Sequence, residues 1–239
     1  LRKLNRLIAL VVLKNFDINK NIAFNELYNL NNKKNKLNVN DLGYLIGPIL
    51  NAGGRLGKSN FASELLSSDD LEVVNIRSNE LIELNNKRKE IETLILNEID
   101  FQKIEKEDKD VIIYYNPNIN EGLIGIIAAR IKDYFNKPSI VITCSNELLK
   151  GSARSVYNYN IGRVIKNSLD KNIISAGGGH NMAAGFTLTK KNLKIFEDYI
   201  QKDFSKTRTI QNHTFLYDAE ISSLAFNKDF YADIEKLEP

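Results

Sequence analysis

Apolar positions along this chain follow two different periods, and the change from one to the other divides it. Over residues 1–30, Leu4, Leu7, Ile8, Val11 and Val12 recur at three- and four-residue spacing, which predicts one or two short helices. The Asn- and Lys-rich run 31–38 has no such pattern and is expected to be a linker. Asn40 or Asp41 can cap a helix through Ile46, and Gly47-Pro48 is expected to end it before a glycine-rich loop, Asn51-Ala52-Gly53-Gly54-Arg55. A further helix is predicted over 62–66. Between residues 72 and 106 neither Gly nor Pro interrupts the chain, and Leu81, Leu84, Ile91, Leu94 and Ile95 mark one stripe among charged and amide residues. This predicts one long amphipathic helix. Its stripe is not a sustained heptad, so packing by one face onto neighbours is favoured over a coiled coil.

After Lys109 the period shortens. Strands are predicted over 111–115, 140–143, 148–156 and 182–188, and helices over 122–135, 161–169 and 193–204. The fold class expected is α/β: a long bridging helix, then a mixed-sheet α/β domain. After a 207–212 linker, residues 214–221 read as the start of a further β structure, truncated by the chain end.

With 239 residues, 43% of them hydrophobic, the chain can bury one full domain and one or two partial ones. No run of about 18 apolar residues predicts a membrane span, and Leu1-Arg2-Lys3-Leu4 lacks the architecture of a signal peptide, so a cytoplasmic location is expected. Cys144 stands alone, which excludes an intramolecular disulfide and a Cys-based zinc site; a buried, inert thiol is expected. A net charge of +3 is too small for a dedicated electrostatic binder, so any phosphate recognition must be local. The chain opens in an apolar-periodic segment without an initiator Met and is expected to be a fragment.

Two runs carry the candidate chemistry: Gly151-Ser152-Ala153-Arg154-Ser155, and Gly177-Gly178-Gly179-His180 with Ala183-Ala184-Gly185 behind it. A strand end at Arg154 would present a guanidinium fork and the Ser155 hydroxyl side by side, with donors that match phosphate oxygens; a surface arginine in a salt bridge is the alternative. Gly177, Gly178 and Gly179 permit positive φ and a nest of N–H donors beside His180; a tight turn capped by that histidine is the plainer reading. His213 lies in a polar linker and needs no function. Gly122 and Gly125 open a helix whose N-terminal amides favour an anion, although close helix-on-sheet packing explains them equally well. Asn51 and Arg55 form a third candidate anion contact, and Lys150 a supporting cation; Lys58-Ser59 lacks the glycine spacing of a nucleotide-binding P-loop. No Asp-His pair occurs, and Asp69, Asp70, Asp108 and Asp110 read as solvated carboxylates near helix ends. The chain is expected to bind phosphate without cutting it.

Taken together, these runs resemble the C-terminal part of the RecJ-type single-strand-specific exonucleases of the DHH phosphoesterase superfamily. Residues 47–56, Gly-Pro-Ile-Leu-Asn-Ala-Gly-Gly-Arg-Leu, are similar to that family's Gly-Pro-Arg-x-Asn-Ala-Ala-Gly-Arg-Leu. Residues 122–130 with Lys137-Pro138 are similar to the first helix of its DHH-associated domain, and the Gly-Ser-x-Arg-Ser and Gly-Gly-His-x-x-Ala-Ala-Gly signatures are both present. The resemblance implies the end of the DHH catalytic domain at 1–70, a connecting helix at 71–107, the DHH-associated substrate-binding domain at 108–206, and the start of an OB-like domain at 207–239. It implies a metal-dependent exonuclease that hydrolyses single-stranded DNA from the 5′ end in repair and recombination. Its Mg²⁺ or Mn²⁺ would be held by Asp and Asp-His-His motifs upstream of Leu1, leaving no catalytic residue in the fragment, which would be inactive alone. Arg55 would then contact the terminal phosphate region, Arg154 and Ser155 backbone phosphates, and Gly177, Gly178, Gly179 and His180 the phosphate at the cleft, with Asn51, Lys150 and Gly122 in support. Single-stranded DNA and other repair or recombination proteins are the implied partners, and the protein would be a monomer away from membranes.

Ile49, Asn120 and Gly177 depart from the family pattern, which commonly has arginine, histidine and an aromatic there. Two other readings share parts of these signatures. A non-catalytic RNA-binding module related to the C-terminal domain of alanyl-tRNA synthetases is opposed by residues 47–56, and an oligoribonucleotide or cyclic dinucleotide phosphodiesterase by the tail 214–239.

Overall fold

The computed structural model describes residues 3–34, 36–207, 217 and 219–236. His213 and residues 214–216 and 218 of the strand expected over 214–221 lie outside the described residues; Tyr217 and residues 219–221 are described and are not strand. The chain divides into two compact units: one takes the described residues of Leu1–Gly53, Gly57–Asn85 and Asn212–Pro239, the other Gly54–Leu56 and Asn86–Gln211.

The first unit is helical. Helix α1 spans Lys3–Asn15 and α2 Ile22–Leu30, the latter capped by Asn21, whose side chain accepts the Phe24 N–H at 3.0 Å. Gly47-Pro48 does not end a helix as expected. A π-helical turn, Asp41–Ile46, runs directly into α3, Gly47–Arg55, so the expected glycine-rich loop is helix. The hydrogen-bond pattern widens and then narrows at this junction, and Pro48, having no N–H, is tolerated where the donor register shifts. Nor does Asn40 cap the turn. Asn38 does: its Oδ1 accepts the Asp41 N–H at 2.9 Å, while Asp41 Oδ2 accepts the Asn38 N–H at 3.3 Å, a reciprocal box. Asp41 is buried, and also accepts from the Tyr28 hydroxyl at 2.6 Å and faces the Lys33 ammonium at 3.1 Å. Burial alone would raise its pKa, but the hydrogen bonds from Tyr28, Lys33 and Asn38 outweigh it and hold the carboxyl below its ordinary range. Ile49 packs in the same core with Leu27, Leu65 and Leu81.

Helix α4 is Phe61–Ser67, and α5 is Leu71–Glu98. The single long helix expected to 106 breaks at Ile99-Asp100, because Asp100 accepts the Lys103 N–H at 2.9 Å and starts a separate helix, α6, Phe101–Glu107. The buried face of α5 also differs from the apolar stripe. Val74, Leu81 and Ile95 are buried with Ser78, Asn85 and Glu92 between them, whereas Leu94 is 63% exposed.

The second unit holds a mixed five-stranded sheet in the order β1-β2-β3-β5-β4. Strand β1 (Ile112–Tyr115) runs parallel to β2 (Ser139–Ser145), and β3 (Leu148–Arg154), β4 (Ala176–His180) and β5 (Ala183–Leu188) complete it with antiparallel pairs. Helix α7, Ile124–Phe135, covers one face with Ile127, Ile131 and Val141 in its core. Helices α8 (Ile161–Asp170) and α9 (Leu193–Thr207) cover the other over Ile140, Leu149, Ala153, Phe186 and Phe196. Helix α7 begins at Ile124, so Gly122 precedes it rather than opening it. Cys144 on β2 is half-buried, not buried, with its thiol beside the Tyr115 hydroxyl. Beyond α9, the described residues form a short 3₁₀ turn, Ser223–Ala225, and helix α10, Lys228–Glu235, capped by Asn227.

Gly151 shows how tightly the sheet is filled: a side-chain carbon there would overlap the ring of Phe186, which is 4% exposed and cannot swing away. Gly151→Ala is therefore expected to destabilise the chain by about 1–3 kcal/mol, read as a lower urea midpoint at unchanged slope. Asp41→Asn is expected to cost about 1–3 kcal/mol at neutral pH. Because the folded pKa of Asp41 lies below its unfolded value of about 3.9, its contribution is complete above that pH and is lost as the pH falls through the folded value. A urea series from pH 7 downward should thus show wild type and Asp41→Asn converging in acid.

Candidate functional site

Alternation along β3 decides which of its residues reach the open face. Leu149, Gly151 and Ala153 are buried toward α8, while Lys150, Ser152 and Arg154 turn to the face that α7 partly covers. Cross-strand register extends these positions into rows. Arg154 lies opposite Ala183, which lies opposite His180; Ser152 aligns with Gly185 and Gly178; Lys150 aligns with Thr187 and Ala176. The β4 and β5 members of these rows are mostly small, so the sheet has a low floor next to the arginine. An open groove of about 470 Å³ lies along it, lined by Gly122, Ile124, Lys150, Ala176, Gly185 and Thr187 among others.

At one side of this face two guanidiniums are packed. Arg154 Nη1 donates to Ser152 Oγ at 3.1 Å and to the Ala153 carbonyl at 2.9 Å, and a side chain on Gly125 would come within 2.8 Å of Arg154 Nη2. Arg55 Nη1 donates to the Gly122 carbonyl at 3.0 Å, and a side chain on Gly122 would come within 2.9 Å of Arg55 Cα. Gly122 and Gly125 thus serve close packing, and what they admit is arginine. Burial and then the charge of Arg55 hold the Arg154 pKa below its ordinary value; burial and then Arg88 do the same to Arg55, partly offset by Glu92. An arginine stays charged through such a shift. Among the described residues neither Arg55 nor Arg154 meets a carboxylate. Two half-buried cations that repel each other and touch no carboxylate leave their remaining donors for an anion.

The structure rearranges the rest of the expected set. Ser155 is 1% exposed and its hydroxyl donates to the Tyr159 carbonyl at 2.6 Å, so it does not stand beside the Arg154 fork. Ser152 does, two residues before Arg154 on the same face of β3, a placement that strand alternation alone could have revealed. The Gly177, Gly178, Gly179 and His180 segment is not a positive-φ nest. It is the edge strand β4, and among the described residues the glycine with positive φ is Gly57, at 83°. Side-chain carbons at Gly177 would come within 2.9 Å of Ile165 and Ile174, whereas at Gly178 they would meet open space. His180 is exposed, and its Nδ1 accepts the Met182 N–H at 3.4 Å across the hairpin. Lys150 lines the groove but is paired with Glu121 at 2.6 Å, and that hydrogen bond, then one from Ser145, holds Glu121 below the usual carboxylate range. Asn120 Oδ1 accepts the Gly122 N–H at 2.8 Å. Asn51 is an exposed position of α3 in the other unit and joins none of these rows. Sequence reasoning also missed Arg88, Glu92 and Arg130, which form a cluster behind Arg55: Glu92 Oε2 accepts from Arg88 Nη1 at 2.8 Å, and Oε1 from Arg130 Nε at 2.7 Å. Among the described residues no three His, Cys, Asp or Glu side chains converge as a metal site would require, and no helix is long and apolar enough to cross a membrane.

Residues 108–206 match the DHHA1 domain family. Over 217 residues, 86% of the chain, it is 32% identical to the single-stranded-DNA-specific exonuclease RecJ of Haemophilus influenzae, of which it covers 37%. It is 34% identical to the Escherichia coli RecJ over 179 residues, 70% of this chain and 30% of that one. The chain thus spans about a third of the length of these curated relatives. Among solved structures, RecJ of Thermus thermophilus in complex with Mn²⁺ matches with a TM-score of 0.69 at 22% identity, over 78% of this chain and 27% of that one, and so shares the fold. On the sequence signatures, the DHHA1 domain and these relatives together, the chain belongs to the RecJ-type family of the DHH superfamily and corresponds to its C-terminal region.

Proposed function

We propose that this chain is the strand-gripping part of a metal-dependent exonuclease that hydrolyses single-stranded DNA from its 5′ end, in repair and recombination. The observation that carries the reading is the pair Arg55 and Arg154: half-buried, mutually repelling, and in contact with no carboxylate among the described residues, with Arg154 heading a cross-strand row beside the small residues of β5 and β4. In this reading Arg154 and Ser152 hold a backbone phosphate, Arg55 the phosphate next along, and His180, at the end of the Arg154 row, a further oxygen. The low floor at Gly178 and Gly185 admits sugar and base without side-chain obstruction. Residues 1–70 would be the end of the catalytic domain, 71–107 the connection, 108–206 the gripping domain and 207–239 the start of an OB-like domain.

Thermus thermophilus RecJ is described in complex with Mn²⁺ and with Mg²⁺. The side chains here do not fit such an ion, because the described residues bring no cluster of acids or histidines together. The divalent metal of the intact enzyme would accordingly be held by parts of the longer protein that this chain does not span. What these residues supply is binding and orientation of the strand.

Fluorescence anisotropy with a 5′-phosphorylated single-stranded oligonucleotide tests the reading. Arg154→Ala is expected to weaken binding about tenfold and to reduce the salt slope by about 0.7, the loss of one phosphate contact on a single strand. Ser152→Ala should weaken it less, and Ser155→Ala should act on stability instead. Unchanged affinity in Arg154→Ala would overturn the proposal, and tighter binding to tRNA than to DNA would favour the RNA-binding alternative. Arg154→Gln should leave the stability measured in urea within about 0.5 kcal/mol of wild type, or raise it, because it removes a repulsion and no ion pair.

A further inference from the structure

Lysines of the Asn- and Lys-rich run 31–38 converge on a second cavity, in the helical unit, none of whose residues belongs to the groove on the sheet. The end of α2 carries them there. Asn32 takes the left-handed conformation at φ 55°, its N–H bonds to the Asn29 carbonyl at 3.1 Å, and the Lys33 N–H bonds to the Tyr28 carbonyl at 3.0 Å, a Schellman closure that turns the chain out of the helix. Lys33 is then held by the buried Asp41 at 3.1 Å, and the Lys36 ammonium donates to the Lys14 carbonyl, near the end of α1, at 3.3 Å.

The cavity has a volume of about 440 Å³ and is lined by Lys33, Lys34 and Lys36, by Asn25 and Asn29, one turn apart on α2, and by the half-buried Phe16. An ammonium carries three donors, of which the fold engages one on Lys33 and one on Lys36. Among the described residues Lys34 meets no partner, and neither do the side-chain amides of Asn25 and Asn29. Asp17 is the carboxylate on the lining, and it is occupied: Oδ1 accepts the Asn19 N–H at 3.1 Å and the Asn19 amide at 3.2 Å, while Oδ2 faces Lys20 at 3.9 Å. Three cations against one engaged carboxylate favour an anion. The space is far larger than a phosphate ion needs, and beside the ammoniums it offers an aromatic surface and two amides that each hold donors and an acceptor.

We infer that this cavity is a second phosphate site, and that it takes a nucleoside 5′-phosphate, either free or at the end of a strand. Lys34 and Lys36 hold the phosphate, Lys33 adds charge from its fixed place on Asp41, Phe16 receives a face of the base, and Asn25 and Asn29 meet its polar edge. The inference is independent of the reading of Arg55 and Arg154.

The test follows the side-chain NH₂ signals of Asn25 and Asn29 in ¹⁵N spectra of the full chain, titrated in turn with dTMP, thymidine, inorganic phosphate and a 5′-phosphorylated oligothymidylate. Saturable shifts of both signals by dTMP are expected. Lys34→Gln should weaken that binding about fivefold and the double variant Lys34→Gln/Lys36→Gln about twentyfold, both with the wild-type urea midpoint, because neither ammonium answers a carboxylate. Arg154→Gln should leave the shifts unchanged. If the oligonucleotide binds more tightly than dTMP and loses that binding in the double variant, the site belongs to a strand end; tighter binding of dTMP assigns it to the free nucleotide. Thymidine or inorganic phosphate acting as strongly as dTMP overturns the inference, as does dTMP binding that the double variant leaves intact. Should the double variant unfold more easily than wild type, Lys34→Gln decides alone, and unchanged affinity there overturns the proposal.

Discussion

The pairing of β3 with β5 is the constraint on which the site depends. Because side chains alternate along a strand, this register sends Lys150, Ser152 and Arg154 to the open face and Leu149, Gly151 and Ala153 into the core. A slip by one residue would bury the Arg154 guanidinium among Leu149, Phe186 and α8, and would present Ala153 in its place. The contact that forbids the slip is Gly151 against the Phe186 ring, since an aromatic side chain fits over β3 only where the strand has no side chain. Packing on one face of the sheet therefore places the charge on the other.

Much of the fold was legible in the sequence because it rests on local patterns. The apolar runs from Val111 to Leu188 alternate between strand and helix lengths, and the structure follows them closely at most element ends. What failed were judgements that needed a partner distant in sequence or a local hydrogen bond that composition does not show. Pro48 reads as a stop unless the π turn before it shifts the donor register. Asp100 reads as one more polar residue of a long helix unless its side chain takes the Lys103 N–H. Leu94 looked like part of the packed stripe, yet Glu92 occupies the buried face, because its charge is answered by Arg88 and by Arg130, far along the chain. A buried carboxylate is visible as such only once its cations are in place.

Of the side chains that the sequence offers as phosphate ligands, Arg154 and Arg55 keep donors that no carboxylate among the described residues takes up, whereas Ser155 and Lys150 are committed to partners within the fold. The difference has one cause. Residue type identifies which side chains can bind phosphate, but availability depends on what the fold has already given them. Ser155 has committed its hydroxyl to the Tyr159 carbonyl, and Lys150 its charge to Glu121. Among the described residues Arg55 and Arg154 spend hydrogen bonds only on backbone carbonyls and on Ser152, and neither touches a carboxylate. In a half-buried setting that residual repulsion is an energetic reason for an anion to bind, one that an exposed arginine with the same motif would not possess.

The triple glycine also has a physical account, different from a nest of amides. Strand β4 is an edge strand with α8 on one side and the open face on the other, so consecutive glycines answer to different neighbours. Gly177 and Gly179 point at the α8 side, where side chains would meet Ile165, Ile174 and Ala184. From the helix side the fit is equally close: a side chain on Gly162 of α8 would come within 2.8 Å of the His180 carbonyl. Gly178 alone turns to the open face, where nothing obstructs a larger residue. Two of the three glycines are thus required by the core, whereas packing gives no reason for the third. Gly178 is the residue of that run whose smallness points outward, to whatever lies along the row of Ser152 and Gly185.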